Sequence, residues 1–311
     1  MTIIDAARIH ALAACDDLSV DAVDTTGSTN EALMSAPFAP APRGPRLLAA
    51  AQQTAGRGRR GRGWQTEPGR AVAFSIAFER CVTTEAPPAA LPIAVGVAAA
   101  RALEPLAPDV QLKWPNDLQR GRRKLAGILV ESRRVALDGA AGASLERVVV
   151  GIGLNLLAPS AAAPVGQPAC GLFDAEPLPE FAAESVIGRL AGAIVPAAAQ
   201  FMTDGLASFV DDWRRFDALD GETVALIDGG RTLATGRAAG LDASGGLRFE
   251  TADGVRVLSS GEVSLRRVEP ACGADEAADH PARLRQPAGL RVGARRGHSV
   301  AGGRARAAAA G

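Results

Sequence analysis

The residues of this chain best suited to chemistry fall in five short segments. The most distinctive reads Gln-Gln-Thr-Ala-Gly-Arg-Gly-Arg-Arg-Gly-Arg-Gly-Trp over 52–64, with four arginines on a glycine-rich backbone. Gly56, Gly58 and Gly61 match the letters G-x-G-x-x-G. That dinucleotide fingerprint needs a strand before it and a helix after it, and Gly63-Trp64-Gln65 is a poor helix start. No G-x-x-x-x-G-K-[ST] phosphate loop occurs in the chain. Arginine forks on a yielding backbone suit another task, which is to cancel the charge that gathers when a carboxylate meets a nucleotide phosphate. Arg57 and Arg59 are the clamp candidates, the glycines let the loop close and exclude water, and Trp64 can stack on adenine. The alternative is a solvated or RNA-binding Arg/Gly segment. Such segments usually repeat in low-complexity regions, whereas this one stands alone.

Three further segments carry lysine, asparagine or bare glycine. Lys113-Trp-Pro-Asn-Asp-Leu118 reads as a turn, because Pro115 biases Trp114 to extended geometry and Asn-Asp favours turning. Asp117 there is a candidate Mg²⁺ carboxylate, since Mg²⁺ keeps most of its waters and needs few protein ligands; an ordinary capped turn is the alternative. Lys124-Leu-Ala-Gly-Ile-Leu-Val-Glu131 reads as a buried strand opened by a lysine able to reach a pocket, with Gly127 permitting close ligand approach; a snorkelling edge lysine is the alternative. In Val148-Val-Val-Gly-Ile-Gly-Leu-Asn-Leu156, alternation puts Gly151, Gly153 and Asn155 on one face and the aliphatic residues on the other. Bare backbone ending in an amide suits a flat ring lying on a sheet; a plain bulge is the alternative. The fifth segment, Gly27-Ser-Thr-Asn30, is a helix N-cap by itself, with donors and acceptors that also suit a ureido group.

Composition sharpens these choices. Of 34 basic side chains only Lys113 and Lys124 are lysines, and the asparagines are Asn30, Asn116 and Asn155. All five fall between positions 30 and 155. In a composition drifted towards arginine, surviving lysines are candidates for tasks that a planar guanidinium cannot do. Net charge is zero, so there is no global basic field for nucleic acid. Cys15, Cys81, Cys170 and Cys272 form no paired pattern and read as reduced thiols. No unbroken run of eighteen apolar residues occurs and the start lacks a secretory signal, so the expectation is a cytoplasmic protein with no membrane span.

The elements that must position these segments follow from periodicity and turn chemistry. Residues 1–20 read as a short amphipathic helix, with strands at 47–52 and 71–79 and a helix over about 92–104 opened by Pro92. Strands follow at 124–132 and 146–156, then a loop at 158–170 and helices at 178–203 and 204–216. Beyond Asp220, runs at 223–228, 233–241, 247–251, 255–258 and 262–268 are separated by Asp-Gly, Gly-Gly and Ser-Gly turns and suggest a small antiparallel barrel. Residues 271–311 carry seven arginines against three acids, net +4, with few large apolar residues, and are expected to be disordered.

Taken in order, Gly27–Asn30, Gln52–Arg62, Lys113–Asp117, Lys124–Glu131 and Gly151–Asn155 resemble the biotin–protein ligase family, over about residues 5–268. The resemblance implies an α+β fold: a mixed-sheet biotin/lipoate ligase-like catalytic domain at 1–217, a small C-terminal SH3-like β-barrel at 218–269, and the tail at 270–311. It implies ATP and biotin as substrates with Mg²⁺, and a biotin carboxyl carrier protein as partner. It places Lys124, Arg57 and Arg59 as catalytic. It places Ser28, Thr29, Asn30, Gln52, Gly56, Arg57, Gly58, Arg59, Lys124 and Gly127 at biotin. Arg59, Arg62, Trp64, Lys113, Asn116 and Asn155 would lie at ATP, and Asp117 at the metal.

Such chemistry needs no side-chain nucleophile, and the only histidine before the tail is His10, so a Ser-His-Asp triad is not expected. Some family members also repress transcription through an N-terminal DNA-binding domain. Only 26 residues precede Gly27 here, so no DNA binding is expected, and the chain is expected to be a monomer or weak homodimer. The competing readings are a lipoate–protein ligase, a biotin-sensing repressor and an RNA-binding Arg/Gly protein.

Overall fold

A computed structural model of the chain describes residues 4–39, 41–83, 88–137, 143–160, 168–228, 230–259 and 264–268. Met1–Val268 gathers into one compact unit; Glu269–Gly311 is divided off and lies outside the described residues, as does the expectation of a disordered tail. The compact unit is α+β and holds two sheets.

The larger sheet has seven strands: β1 (Ser19–Thr26), β2 (Arg46–Gln53), β3 (Ala71–Val82), β4 (Val110–Lys113), β5 (Asp117–Arg120), β6 (Arg123–Ala136) and β7 (Ser144–Asn155). Their order is β1-β2-β3-β7-β6-β5-β4. It is mixed, because β1 runs parallel to β2 and every other pair is antiparallel. One face carries Phe74, Ile152 and Ile128 in register, and beside them Val72, Leu154, Ala126, Leu118 and Leu112. All eight are buried in the main core.

Helices α1 (Ala6–Ala13), α3 (Leu91–Leu103) and α4 (Ala182–Asp204) cover that face. Glycines bring the backbones close: a Cβ at Gly188 or Gly192 of α4 would run into α1 at Leu12 or Ala13. By length and composition α4 is apolar enough to span a membrane. Here it is a packed core helix with Val186, Ile187, Leu190 and Ile194 buried, and Glu184 at its start accepts from the Asp5 N–H.

Helix α2 (Thr29–Ser35) lies on the opposite face, with Leu33 packed on Ala77 and Val149. Arg147 fixes its far end. This buried guanidinium pairs with Glu79 and donates to the carbonyls of Leu33 and Pro37 at 3.1 and 3.0 Å. It thereby supplies the donors and positive charge that a helix C-terminus lacks.

Helix α5 (Val210–Phe216) buries Trp213 and Phe216 and leads to the second sheet: β8 (Thr223–Asp228), β9 (Arg231–Leu241), β10 (Leu247–Thr251), β11 (Gly254–Leu258) and β12 (Ser264–Arg267). Its order is β11-β10-β9-β8-β12, antiparallel throughout. The Trp114 indole N–H donates to Gly245 O at 3.0 Å and ties the β4–β5 turn to this sheet.

Two expectations need correction. The N-terminal helix is shorter than 1–20, because Ala14 turns left-handed (φ 49°) and ends it. The next residues form β1, whose exposed edge position hides its pattern. Lys113–Leu118 is not only a turn: its ends are the paired strands β4 and β5, with Lys113 opposite Asp117.

Candidate active site

Directly paired residues in an antiparallel sheet point to the same face. One such row crosses six strands on the α2 side: Ala50, Ala73, Gly153, Gly127, Asp117 and Lys113. Beside it run Leu48, Ser75, Gly151 and Leu129. The floor is therefore bare backbone in the middle, with Asp117 and Lys113 at one end and Ser75 at the other. Two side chains rest on the bare part. A Cβ at Gly153 would collide with the Trp64 indole, and one at Gly151 with the Asn30 carboxamide. These glycines are required by close approach rather than by backbone angle. The Trp64 indole N–H is buried on this floor without a hydrogen-bond partner, a cost of about 1–3 kcal/mol.

Lys124 reaches this floor through a β-bulge. The β5–β6 register runs Leu118↔Ala126 and then Gln119↔Lys124, so Leu125 is an extra residue. Leu125 and Ala126 both point into the core, and Lys124 turns to the site face. Strict alternation would have put Lys124 on the core face with Ala126. Its Nζ donates to Asp117 Oδ1 at 2.7 Å and stands 5.9 Å from the Trp64 ring centroid. A Cβ at Gly127 would sit 3.3 Å from the same Nζ, so the glycine leaves room for the amine. Lys113 is partly buried beyond Asp117. Burial pushes its pKa below the ordinary lysine value, and Asp117 opposes that shift.

The Gly/Arg loop folds over this end as a narrow hairpin. Arg57 and Gly63 form an isolated bridge, Trp64 N donates to Gly56 O at 2.9 Å, and Gly58 N donates to Arg62 O at 2.7 Å. At its tip Arg59–Gly61 makes one 3-10 turn, with Arg60 left-handed at φ 59°. The arginines diverge. Arg59 donates to Asn116 Oδ1 at 2.9 Å, and Asn116 Nδ2 donates to Ile128 O at 2.7 Å. Burial lowers the Arg59 pKa and Asp117 opposes the shift; a guanidinium stays charged regardless. Arg57 donates to Glu131 at 2.6 Å, and Arg60 pairs with Asp228 at the end of β8. Arg62, half of the loop's outer edge, is exposed.

At the other end, Ser28 caps α2 and accepts from the Glu31 N–H at 3.5 Å. Ser28, Thr29 and Asn30 are all buried. Gln52, expected to face the site, is exposed. Gln53 takes the inward place and accepts from the Thr29 N–H at 2.8 Å. Alternation from Ala50 would turn Gln52 to the site face, so the chain departs from strict alternation at the end of β2. Asn155 is buried and donates to Cys170 O at 3.1 Å, which ties β7 to the segment beside Lys124.

The structure thus brings together the loop, both lysines and the glycine face that the sequence pointed to. Gln53, Ser75 and Glu131 lie with them and were not among the expected residues. Ser75 carried a weak signal as the one hydroxyl in the run Ala71–Phe78.

Asp117 is the candidate metal carboxylate. It is paired with Lys124, and among the described residues no group of three or more His, Cys, Asp and Glu side chains comes together to hold an ion. Mg²⁺ commonly takes one or two carboxylates beside substrate phosphates, and Asp117 fits only as that single carboxylate. A cavity of about 350 Å³ lies elsewhere, lined by Pro88, Phe201, Met202, Leu206 and Ser244; neither Lys124 nor the loop lines it. The site floor itself is filled by Trp64 and Asn30.

The fold and the site define an α+β protein with a glycine floor beneath a cationic loop, and comparison with known proteins agrees. Residues 23–155 match the model of the biotin/lipoate A/B protein ligase family, and residues 221–266 match the biotin protein ligase C terminal domain. The bifunctional ligase/repressor BirA of Salmonella typhimurium is 32% identical over 275 residues, covering 86% of this chain and 80% of that protein. The biotin–[acetyl-CoA-carboxylase] ligase of Paracoccus denitrificans is 32% identical over 261 residues, covering 76% of this chain and 97% of its own length. The structure of biotin protein ligase from Aquifex aeolicus in complex with biotin and ATP superposes with a TM-score of 0.59 at 25% identity, covering 80% of this chain and 99% of that one. The chain belongs to the biotin protein ligase family.

Proposed function

We propose that the chain is an ATP-dependent biotin–protein ligase that forms biotinyl-5'-AMP and pyrophosphate, then passes the biotinyl group to a lysine of the acetyl-CoA carboxylase carrier protein. The observation that carries this reading is the convergence of Lys124, Asp117, Asn116 and Arg59 at one end of a glycine-floored sheet, in a chain of this family. In the first step a carboxylate oxygen of biotin attacks the α-phosphorus. The new O–P bond replaces the bond to the β-phosphate oxygen, and pyrophosphate leaves. In the second, the neutral ε-amine of the carrier lysine attacks the acyl carbon, the C–O bond to AMP breaks, and the amine proton passes to solvent.

The protein contributes position and charge. Lys124 keeps two N–H donors besides the one given to Asp117, and these serve the carboxylate and α-phosphate oxygens. Arg57 and Arg59 bring guanidinium charge over the reacting acid, with Gly56 and Gly58 supplying backbone close to it. Ser28, Thr29, Asn30 and Gln53 face the ureido ring, with Gln53 in place of Gln52. Gly127, Gly151 and Gly153 leave room for Lys124, Asn30 and Trp64, against which the ring would lie. Trp64, Arg62, Lys113 and Asn116 serve the nucleotide, and Asn155 holds their surroundings. Mg²⁺, arriving with ATP beside Asp117, would neutralise phosphate charge.

The proposed domain division is 1–217 for catalysis and 218–269 for a small SH3-like barrel. The proposed solution state is a monomer or weak homodimer without DNA binding. Isothermal titration with biotin, with and without ATP, followed by transfer to a carrier domain, tests the activity. A chain that ignores biotin but adenylates lipoate would overturn it in favour of lipoate ligation. A gel shift on its own promoter tests the repressor alternative.

A further inference from the structure

Glu131 ends the Lys124–Glu131 strand segment, and its two oxygens go different ways. Oε1 accepts from Arg57 at 2.6 Å, and Oε2 accepts from Asn30 Nδ2 at 2.9 Å. A carboxylate only accepts hydrogen bonds, so the Asn30 amide nitrogen must face it. Leu129 O, 3.4 Å from the same nitrogen, makes the same demand. Asn30 Oδ1 then faces Ser75, whose hydroxyl donates to it at 2.6 Å. Ser75 is fully buried and has one proton to give. The 2.7 Å contact between Ser75 Oγ and Thr29 Oγ1 therefore uses the proton of Thr29. Gln53 Oε1, 3.1 Å from Thr29 Oγ1, is supplied instead by the Thr29 N–H. Thr29 gives to Ser75, Ser75 to Asn30, and Asn30 to Glu131.

We infer that Glu131 is a positioning residue that fixes the direction of this relay and so presents Thr29 to a bound ligand as a hydrogen-bond acceptor. The inference rests on the proposed biotin reading and deepens it. A ureido ring offers two N–H groups and one carbonyl, and a hydroxyl whose proton is committed to Ser75 can take only an N–H. With the relay reversed, Ser75 would fill a lone pair of Thr29 and release its proton, and the site would lose its preference for a donor there. Cooperative chains of this kind pass polarity over several bonds.

The test is calorimetric titration of the full chain with biotin, alongside steady-state kinetics, for four proteins: wild type, Glu131→Gln, Asn30→Asp and the double variant. Glutamine can turn its amide either way, so Glu131→Gln leaves only the long 3.4 Å contact with Leu129 O to hold the relay's direction. Its biotin affinity should fall by up to about tenfold, the upper end for one neutral hydrogen bond. KM for biotin should rise while kcat stays within about twofold. Asn30→Asp alone sets two carboxylates against each other and should be the weakest binder. In the double variant the aspartate at position 30 must again accept from Ser75, and it receives the glutamine amide as well. Biotin affinity should then return to within about threefold of wild type. The Arg57 pair stays lost in that variant, so recovery cannot come from the loop. Wild-type affinity in Glu131→Gln, or a double variant no better than Glu131→Gln, overturns the inference and leaves the biotin reading standing. A wild-type chain that does not bind biotin removes both.

Discussion

Lys124 Nζ stands 2.7 Å from Asp117 Oδ1, and the two meet on one face of the sheet because Leu125 is an extra residue in β6. Both are half-buried, with side-chain exposures of 26% and 16%. Lys124→Ala would leave Asp117 without this partner, at a cost of about 1–2 kcal/mol for a pair that water still reaches. The fold should survive that loss. Pyrophosphate release should fall by roughly 10²–10³-fold, as when one preorganised donor is removed. Near-normal release from a folded variant would take Lys124 out of the active role.

Gly153→Ala tests the floor. The added methyl collides with the Trp64 indole, which must lift off the sheet. Trp114 and Trp213 are each 2% exposed, so Trp64 should dominate any change in emission. A red shift is expected in Gly153→Ala, absent when Trp64→Phe is added, together with weaker biotin and ATP binding. An unshifted spectrum would mean that the indole does not rest on Gly153.

Arg59 holds the loop to the β4–β5 turn through Asn116 at 2.9 Å. A charged hydrogen bond of this kind contributes about 1.5–3 kcal/mol. Arg59→Gly should therefore speed escape of the adenylate by about tenfold or more. A chase experiment on preformed intermediate reads the rate directly; unchanged retention counts against the clamp.

Lys113 predicts a pH dependence with a definite sign. Its pKa in the folded chain is lowered by burial from an ordinary value of 10.5. The unfolded chain therefore binds the proton more tightly, and stability rises with pH between the lowered value and 10.5. The penalty is fully present below the lowered value. Lys113→Met should stabilise the chain at pH 7, by an amount that shrinks as pH climbs towards the unfolded value, while ATP binding weakens. Denaturant titrations of both proteins from neutral to alkaline pH check this; a constant difference across the range would rule out the buried charge as its source.

Much of the fold was legible because its signals are local. Residues 148–156 alternate glycine and aliphatic residues, and the structure puts Gly151 and Gly153 on the floor and Ile152 and Leu154 in the core. Pro92 near the start of α3 and the Gly-rich turns after Asp220 mark elements that need no distant partner to be recognised. Strands β1, β4 and β5 were harder to read. The last two have four residues each, too few to show a period; β5 exists because β6 gives it an edge, and β4 pairs in turn with β5.

The sequence by itself determined which chemical groups are available: two lysines, a cationic loop on glycine, and a glycine-alternating strand, all fixed by residue type and near-neighbour spacing. Only the tertiary structure decided which way those groups point. The bulge at Leu125 turns Lys124 from the core face to the site face, and a departure from alternation at the end of β2 makes Gln53 rather than Gln52 the inward side chain. Glu131, Asn30, Ser75 and Thr29 become one relay although 102 positions separate the first and last of them. The physical reason is that strand facing has a period of two, so one inserted residue reverses it, and hydrogen-bond direction is set by partners that only folding brings within reach.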